Sequence, residues 1–396
     1  MKVGIIGAGI VGACIGYALR KAGARVTLID RGEPGRGCSF GNSGAISTSS
    51  VVPLALPGVV AQVPGMLLDP DSPLRLSLRY LPHAMPWLLA FLASARPARV
   101  TAAADRLCAL HANAAQRHAT LANEIGAPEL ILQRGHLHVY PDGASLAKDA
   151  TAWRMREAYG FRFENLDRDG IVALEPRIGD RYQVGVFLAD QATIVNPFRY
   201  VQAIVEAYRA RGGEFLHDEV NALSASGDGG WQVRTSGACR RYTHLVVAAG
   251  AWSRKLLDPL DVHLPLESQR GYHVQYRGSA PISRTVVLAD RKIFATPMED
   301  GLRVGGTVEI AGLDAPPDPH REELLRRATK ETFAGVDDSL ATSWMGHRPC
   351  MPDSVPVIGP VAKRPGLFLA VGHGHLGLTD APHTAEMITS MVMAHI

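Results

Sequence analysis

The chain is poor in the features that would place it in several broad classes. Only five cysteines occur in 396 residues, Cys14, Cys38, Cys108, Cys239 and Cys350, an odd number without a C-x-x-C pair. That usage fits a reducing compartment and argues against a disulfide framework or a zinc site. No run of about twenty uninterrupted apolar residues occurs, so no membrane-spanning helix is expected. No basic run accompanies the small net charge of +3, and no nucleic-acid partner is expected. Internal repeats and low-complexity linkers are missing. So are a serine–histidine–acid set and a His/Cys cluster with metal-ligand spacing, which removes hydrolysis and metal catalysis from the expected chemistry.

What is present is an ordinary globular composition, 46% hydrophobic and 20% charged, in a chain long enough for two or more domains. Its organising stretch is residues 2–30, KVGIIGAGIVGACIGYALRKAGARVTLID. A buried strand reads over 3–6, Gly7, Gly9 and Gly12 follow as G-x-G-x-x-G, and an apolar-periodic helix runs to Gly23. A second strand over 26–29 ends on Asp30. Gly7 lets the chain turn off the strand, Gly9 leaves room for a pyrophosphate, and Gly12 lets helix and strand pack closely. The Ile10 and Val11 amides, with the helix dipole behind them, point at the phosphates. Asp30, 23 positions after Gly7, is placed to accept both hydroxyls of an adenosine ribose. The whole unit predicts a bound dinucleotide. Lys2 and the apolar run mimic a secretory leader, yet the glycine spacing and Asp30 account for the same residues, so the mature chain is expected to begin near Met1.

After Asp30, RGEPGRGCSFGNSGAIS is rich in glycine and small polar residues. It either wraps a diphosphate and sugar chain, with Ser39, Asn42, Ser43 and Gly44 as hydrogen-bonding candidates, or is a flexible surface loop. Residues 51–95 are apolar but interrupted by Pro53, Pro57, Pro64, Pro70, Pro73, Pro82 and Pro86, a density that forbids one long helix. Residues 80–93, YLPHAMPWLLAFLA, read as short helical turns that pack on a core or lie on a bilayer surface. A structural helix is expected over Leu107, Leu110, Ala114, Leu121 and Ile125, stopped by Gly126 and Pro128. Asn196-Pro197 opens another, reaching Arg211 and the Gly212-Gly213 stop. Strands are expected at 184–189, 214–217, 231–235, 242–248, 272–276, 285–289, 302–308 and 367–371, with helices over about 148–159 and over 321–333.

THLVVAAGAWS breaks from a buried strand into Ala249-Gly250, a second close backbone approach to the same cofactor, and GHGHLGLTDAPHTAEMI is a third glycine-rich turn running into a helix. Such turns near the start, middle and end predict an interleaved α/β architecture. A Rossmann-like dinucleotide domain takes 1–48, 190–262 and 344–396. A substrate domain of α+β type, with a mixed or antiparallel sheet, takes 49–189 and 263–343.

GAGIVG with its terminal acid, SFGNSGAIS, VVAAGAWS, RVGGTVE, RP-x-x-PDS-x-PVIG and GHGHLGLT, in this order, resemble the FAD-dependent D-amino acid dehydrogenases, within the wider group of D-amino acid, glycine and sarcosine oxidases. The resemblance spans the whole chain. It implies a two-domain flavoprotein with FAD extended across the Rossmann-like domain and its ring at the domain interface. Gly7, Gly9, Ile10, Val11, Asp30 and Arg31 would hold the ADP half, and Ser39, Asn42, Ser43 and Gly44 the pyrophosphate and flavin. Val220 would meet adenine through its backbone, and Ala249 with Gly250 would line the diphosphate side. Gly374, His375, Leu376, Gly377, Leu378 and Thr379 would meet the ring and ribityl chain. Two departures stand out. Asp30 is found where many FAD enzymes have glutamate, so that residue alone does not separate FAD from NAD. Cys350 lies closer to Pro352 than the cysteine that holds flavin covalently in sarcosine oxidases, so non-covalent FAD is expected and Cys350 is read as a packing residue.

The implied reaction sends a hydride from Cα of a D-amino acid to flavin N5. The imine hydrolyses to a 2-oxo acid and ammonia or, from a cyclic amine, remains a pyrroline carboxylate; GHGHLGLT points to D-proline or cis-4-hydroxy-D-proline. Arg348, in a GHRP turn, is the expected carboxylate clamp, because its planar fork matches a carboxylate bidentately. Tyr272 donates a second hydrogen bond to the carboxylate or is an ordinary strand tyrosine. His375 steers the substrate amine or a ring hydroxyl, accepts a proton, or serves only through its backbone; His373 is read as structural, and Glu309 as a carboxylate in the same region. The expected electron acceptor is a quinone or an electron-transfer protein. The alternatives are a glycine- or sarcosine-type amine oxidase producing hydrogen peroxide and a flavoprotein subunit of a hetero-oligomeric dehydrogenase. A cytoplasmic location is expected, with peripheral contact at the inner face of the cell membrane and homo- or hetero-oligomers left open.

Overall fold

In the computed structural model, which describes residues 1–58, 65, 69, 71–227 and 229–394, the chain begins with β1 (Lys2–Ile6), α1 (Ile10–Lys21) and β2 (Arg25–Asp30). Three helices follow, α2 (Leu81–Ser94), α3 (Pro97–His111) and α4 (Ala114–Glu124), then β3 (His136–Tyr140), β4 (Val184–Leu188), α5 (Pro197–Ala210), β5 (Glu214–His217) and β6 (His244–Val247). Next come β7 (Glu267–Arg277), β8 (Thr285–Leu288), β9 (Ile293–Met298), β10 (Gly301–Ile310) and α6 (Pro319–Thr332). The chain closes with β11 (Thr342–Cys350), β12 (Val357–Pro360), β13 (Leu367–Val371) and α7 (Gly377–Ala394).

The first large sheet has six strands in the order β5–β2–β1–β6–β13–β12. All neighbours are parallel except β12, which runs antiparallel to β13. Parallel strands covered on both faces read as continuous apolar runs, which is why the strands at 3–6, 26–29 and 367–371 were legible. One face carries α1, α5 and α7, packed through Ile10, Tyr17, Tyr200, Tyr208 and Ile388. The other is covered by an antiparallel sheet of Val220–Ala225, Trp231–Thr235 and Cys239–Tyr242, whose Leu223, Trp231 and Val233 meet Ile6, Ile29 and Leu245. Asn196 caps α5 as expected, its Oδ1 accepting from the Arg199 amide at 3.0 Å.

The second sheet has nine strands. β11, β7, β10, β9, β8, β3 and β4 follow one another to Glu164–Leu166, and Leu74–Leu76 pairs with β10. Its pairs are mostly antiparallel, and it backs onto α6 through Val274, Val304, Leu325 and Ala328. The architecture is the expected mixed α/β.

Several local expectations shift. The helix expected through 107–125 is two helices, because Asn113 between α3 and α4 takes a left-handed conformation (φ 56°), which Asn tolerates better than most residues. Ala114, Ala122 and Leu130, grouped above with the substrate domain, pack on the α1 side of the first sheet. Residues 80–93 form most of one helix with Pro86 inside it rather than separate turns. The GHRP segment is not a turn but the end of β11, and the boundary drawn at 344 falls within that strand. Pro64 and Pro70 lie outside the described residues. Among the described residues no helix is long and apolar enough to cross a membrane.

Candidate active site

The carboxyl ends of β1, β2, β6 and β13 open on one cleft of about 540 Å³, within the range of small-molecule and cofactor sites. Ligands of open parallel sheets bind at this end of the strands. A larger open groove of about 690 Å³ lies at the opposite, amino end, among Lys2, Arg20, Arg25 and Arg240, and holds none of the predicted site residues.

The cleft floor is the glycine turn. Gly7 has φ +107°, and a Cβ there would lie 2.3 Å from the Ala248 carbonyl oxygen. A Cβ on Gly12 would lie 1.9 Å from the Gly7 carbonyl oxygen, so α1 reaches β1 only through glycine. At Gly9 a Cβ would meet only the Ser39 hydroxyl, at 3.3 Å, leaving the approach from the cleft open. The α1 amino terminus starts here, with Ile10 and Val11 in the cleft lining. The Ile10 amide is engaged by the Ser39 hydroxyl oxygen at 2.9 Å, leaving the Ser39 proton free to donate outward.

At one end, Asp30 is fixed by two amides. Oδ2 accepts from Ala8 at 2.7 Å and Oδ1 from Gly32 at 2.9 Å. The carboxylate oxygens keep further lone pairs for a ribose. Arg31 lies over the Trp252 ring at 4.5 Å and pairs with Glu219 at 3.2 Å. Val220, Ala249 and Gly250 line the same end, Gly250 at φ +55°.

The loop after β2 is held from the second sheet. The buried Arg303 donates to the carbonyls of Phe40 (2.9 Å) and Asn42 (2.7 Å). His273, pushed down to about 3 by burial and then by the Arg303 charge, is neutral. Its Nδ1 therefore carries the proton shared with the Gly41 carbonyl at 3.1 Å. Asn42 lines the cleft but spends its Oδ1 on the Gly44 amide at 2.8 Å. Gly44 (φ +73°) packs on the Ile194 carbonyl, and Ser43 lies against Gly305. Neither is among the cleft-lining residues.

The other end is built from β11 and the turn after β13. Gly374 donates its amide to the Pro349 carbonyl at 2.8 Å, and Cys350 and His373 form an isolated bridge. Arg348 is partly buried, and burial pulls its guanidinium below its usual range. Its Nη1 donates to the Thr307 carbonyl at 2.8 Å and its Nη2 to that of Gly306 at 3.4 Å. Among the described residues it forms no ion pair with a carboxylate. Thr307, a β-branched residue at φ 56°, is strained and offers Arg348 its carbonyl. Gly271 makes room for the same group: a Cβ there would lie 2.1 Å from the Arg348 Cζ. His375 is pushed down to about 4 by burial, then by the Arg348 and His111 charges. Neither Arg348 nor His375 is among the residues that line the cleft; they stand beside its lining residues His347, Pro349 and Gly374.

Other candidates are engaged elsewhere. The Tyr272 hydroxyl donates to Glu309 Oε2 at 2.5 Å and accepts from Arg270 (3.1 Å) and the Asp318 amide (2.9 Å). It has no hydrogen left for a substrate carboxylate, which corrects that expectation and places Glu309 in the same closed network. Thr379 is buried and accepts from the Ser47 amide at 3.2 Å. Leu376 is buried outside the cleft lining, whereas Gly374, Gly377 and Leu378 line it. His373 donates to or accepts from Thr384 Oγ1 at 3.1 Å, a structural contact. The Cys350 thiol is buried and pushed up to about 12, inert as expected of packing.

Some residues were missed. Trp344 shares a face of β11 with Gly346 and Arg348, stacks on His273 at 5.3 Å and leans on Phe40 at 6.2 Å. Cys38, Trp252 and His347 also line the cleft. Each sits inside or beside a quoted motif, which was the only local signal.

The glycine cradle, the free approach at Gly9 and a cleft of about 540 Å³ that reaches Asp30 fit a bound dinucleotide. The family model for FAD dependent oxidoreductases matches residues 2–391. A D-amino-acid oxidase of Bradyrhizobium diazoefficiens is 37% identical over 98% of this chain and 94% of its own. A D-amino acid dehydrogenase of Sinorhizobium medicae is 32% identical over 99% of this chain and 96% of its own. Among solved structures, glycine oxidase from Geobacillus kaustophilus superposes with a TM-score of 0.76 over 99% of this chain and 94% of that one, at 19% identity, a likeness of fold.

Proposed function

The chain belongs to the FAD-dependent oxidoreductase family, and from that premise we propose that it oxidises a D-amino acid at Cα and passes the electrons to an acceptor other than NAD. Arg348 carries this reading: a guanidinium held by two main-chain carbonyls with no carboxylate beside it among the described residues. A substrate carboxylate supplies the missing charge with a bidentate match. His375, neutral at physiological pH, is too weak a base to take a proton from an ammonium and instead orients the neutral substrate amine through a hydrogen bond at a ring nitrogen. The glycine turn, Asp30 and the Ser39 loop would hold FAD non-covalently, and it would supply the two-electron acceptor chemistry.

A primary amine gives an imine that water converts to a 2-oxo acid and ammonia. D-Proline or cis-4-hydroxy-D-proline gives a pyrroline carboxylate, and these cyclic amines are the substrates we assign. The test is kcat/KM across a panel of D-amino acids with an artificial electron acceptor. Preference for the cyclic amines supports the assignment, and equal turnover of D-alanine and D-proline contradicts it. We favour a quinone or an electron-transfer protein as the acceptor, met at the inner face of the cell membrane. The Bradyrhizobium relative, named an oxidase, favours a second reading in which oxygen takes the electrons. Hydrogen peroxide formed in step with substrate consumption in air would establish that reading, and its absence would retain the dehydrogenase.

A further inference from the structure

The outer face of α2 has no partner among the described residues. Apart from the exposed His83 and the terminal Ser94, the helix is apolar. Its inner side seats Ala84 and Trp87 against Ile310 and Cys350, with Trp87 Nε1 donating to the Cys350 carbonyl at 3.0 Å. Its outer stripe recurs at helical spacing as Pro82, Met85, Pro86, Leu89 and Leu92, every one exposed. Met85 is 40% exposed, Leu89 59% and Leu92 37%, and Leu78 just before the helix is 81% exposed. A contiguous apolar stripe of this kind marks an interaction site rather than scattered surface residues.

The charge around it points to one partner. From 72 to 104 the sequence contains no Asp or Glu, although the chain as a whole nearly balances 41 Lys and Arg against 38 Asp and Glu. Arg75 and Arg79 precede the helix and Arg96 and Arg99 follow it, all exposed. None of these four side chains forms an ion pair among the described residues. An apolar helix face flanked by cations and free of acids matches the interfacial layer of an anionic membrane. Apposing a second copy of the same face would bring like charges together.

We propose that the outer face of α2 docks on an anionic lipid bilayer, with Met85, Leu89 and Leu92 at the acyl boundary and the four arginines at the headgroups. The contact is close to the candidate active site. The Trp87 indole is bonded to Cys350, two residues past Arg348, and Cys350 bridges His373 in the turn that carries His375. Docking so placed brings an acceptor dissolved in the bilayer near the end of the cleft where substrate is oxidised; only this consequence rests on the function proposed above.

The test is co-sedimentation of the holoprotein with vesicles of phosphatidylcholine alone and of phosphatidylcholine mixed with phosphatidylglycerol. Binding to the mixed vesicles, weakened by salt, is expected. Leu89→Glu with Met85→Glu, and separately Arg96→Glu with Arg99→Glu, should each lower that binding by about tenfold or more, with bound flavin unchanged. Failure of the wild type to sediment, equal binding to both vesicle types, or variants that bind like the wild type would overturn the proposal. So would a dimer that the Leu89→Glu change dissociates without altering vesicle binding. Reduction of the flavin by D-amino acids is measured in solution without vesicles. Lost reduction with intact vesicle binding therefore contradicts the enzymatic reading alone, and intact reduction without vesicle binding contradicts the docking alone.

Discussion

Gly374 donates its amide to the Pro349 carbonyl at 2.8 Å, and that bond joins the segments that carry His375 and Arg348, beside the cleft that Gly374 and Pro349 line. One belongs to the turn after the parallel sheet and the other to an edge strand of the nine-stranded sheet. The candidate active site is therefore a junction between sheets, secured by main-chain bonds rather than by side-chain contacts alone. The Arg348 charge helps hold His375 neutral, so a bound carboxylate that offsets Arg348 also raises the proton affinity of His375.

The Arg348 fork depends on a missing methyl group. Gly271→Ala places a Cβ 2.1 Å from the Arg348 Cζ, and the flexible guanidinium must move because the strand cannot. The variant is expected to fold and to hold flavin while kcat/KM falls by about a hundredfold, the usual cost of misplacing a substrate-orienting group. Arg348→Lys, which keeps the charge and loses the fork, should show a similar loss. Steady-state kinetics beside flavin content check both. Unchanged kcat/KM in either variant would remove Arg348 from the clamp role.

Asp30 joins two backbone amides, of Ala8 and Gly32, at the end of β2. Asp30→Ala removes both bonds as well as the ribose acceptor, and FAD affinity should drop by about tenfold to a hundredfold. Titration of the apoprotein with FAD gives the number. An apoprotein that keeps wild-type affinity would place the ribose elsewhere.

Acid should weaken the fold through its buried histidines. Burial chiefly pushes His118, His136 and His373 down to about 4, below the ordinary value of about 6.5 that they recover on unfolding. Between those values the unfolded chain binds more protons than the folded one. Their contribution is present above about pH 6.5 and is lost as the pH falls toward 4, at about 1.4 kcal/mol per histidine for each pH unit crossed. Urea midpoints followed by circular dichroism should decline steadily through this window. A flat profile would mean these imidazoles are not buried as described.

How much was legible follows from the range of the interactions. The β1–α1–β2 unit reads directly because its strand, glycine turn, helix and acid lie within thirty residues and each needs only its neighbours. α5 was found for the same reason, from the Asn196-Pro197 start and the Gly212-Gly213 stop. β11 was read as a turn because Gly346 and Pro349 are breakers in isolation. Among the described residues its one strand neighbour in the sheet is β7, at the sheet edge, where a missing N–H costs little. The two readings of Tyr272 stayed open in the sequence because its partners Glu309 and the Asp318 amide lie 37 and 46 positions away, and no local pattern announces them. The same holds for Trp344, whose place beside Phe40 and His273 exists only once the loop after β2 lies on the second sheet.

The most direct test of the central claim is anaerobic mixing of the purified holoprotein with the two enantiomers of proline, and of alanine, while the visible flavin band is followed. Rapid bleaching by the D-enantiomers, with the L-enantiomers leaving the band intact, is the predicted result. Bleaching by the L-enantiomers alone, or by neither enantiomer of any amino acid tried, would contradict the account.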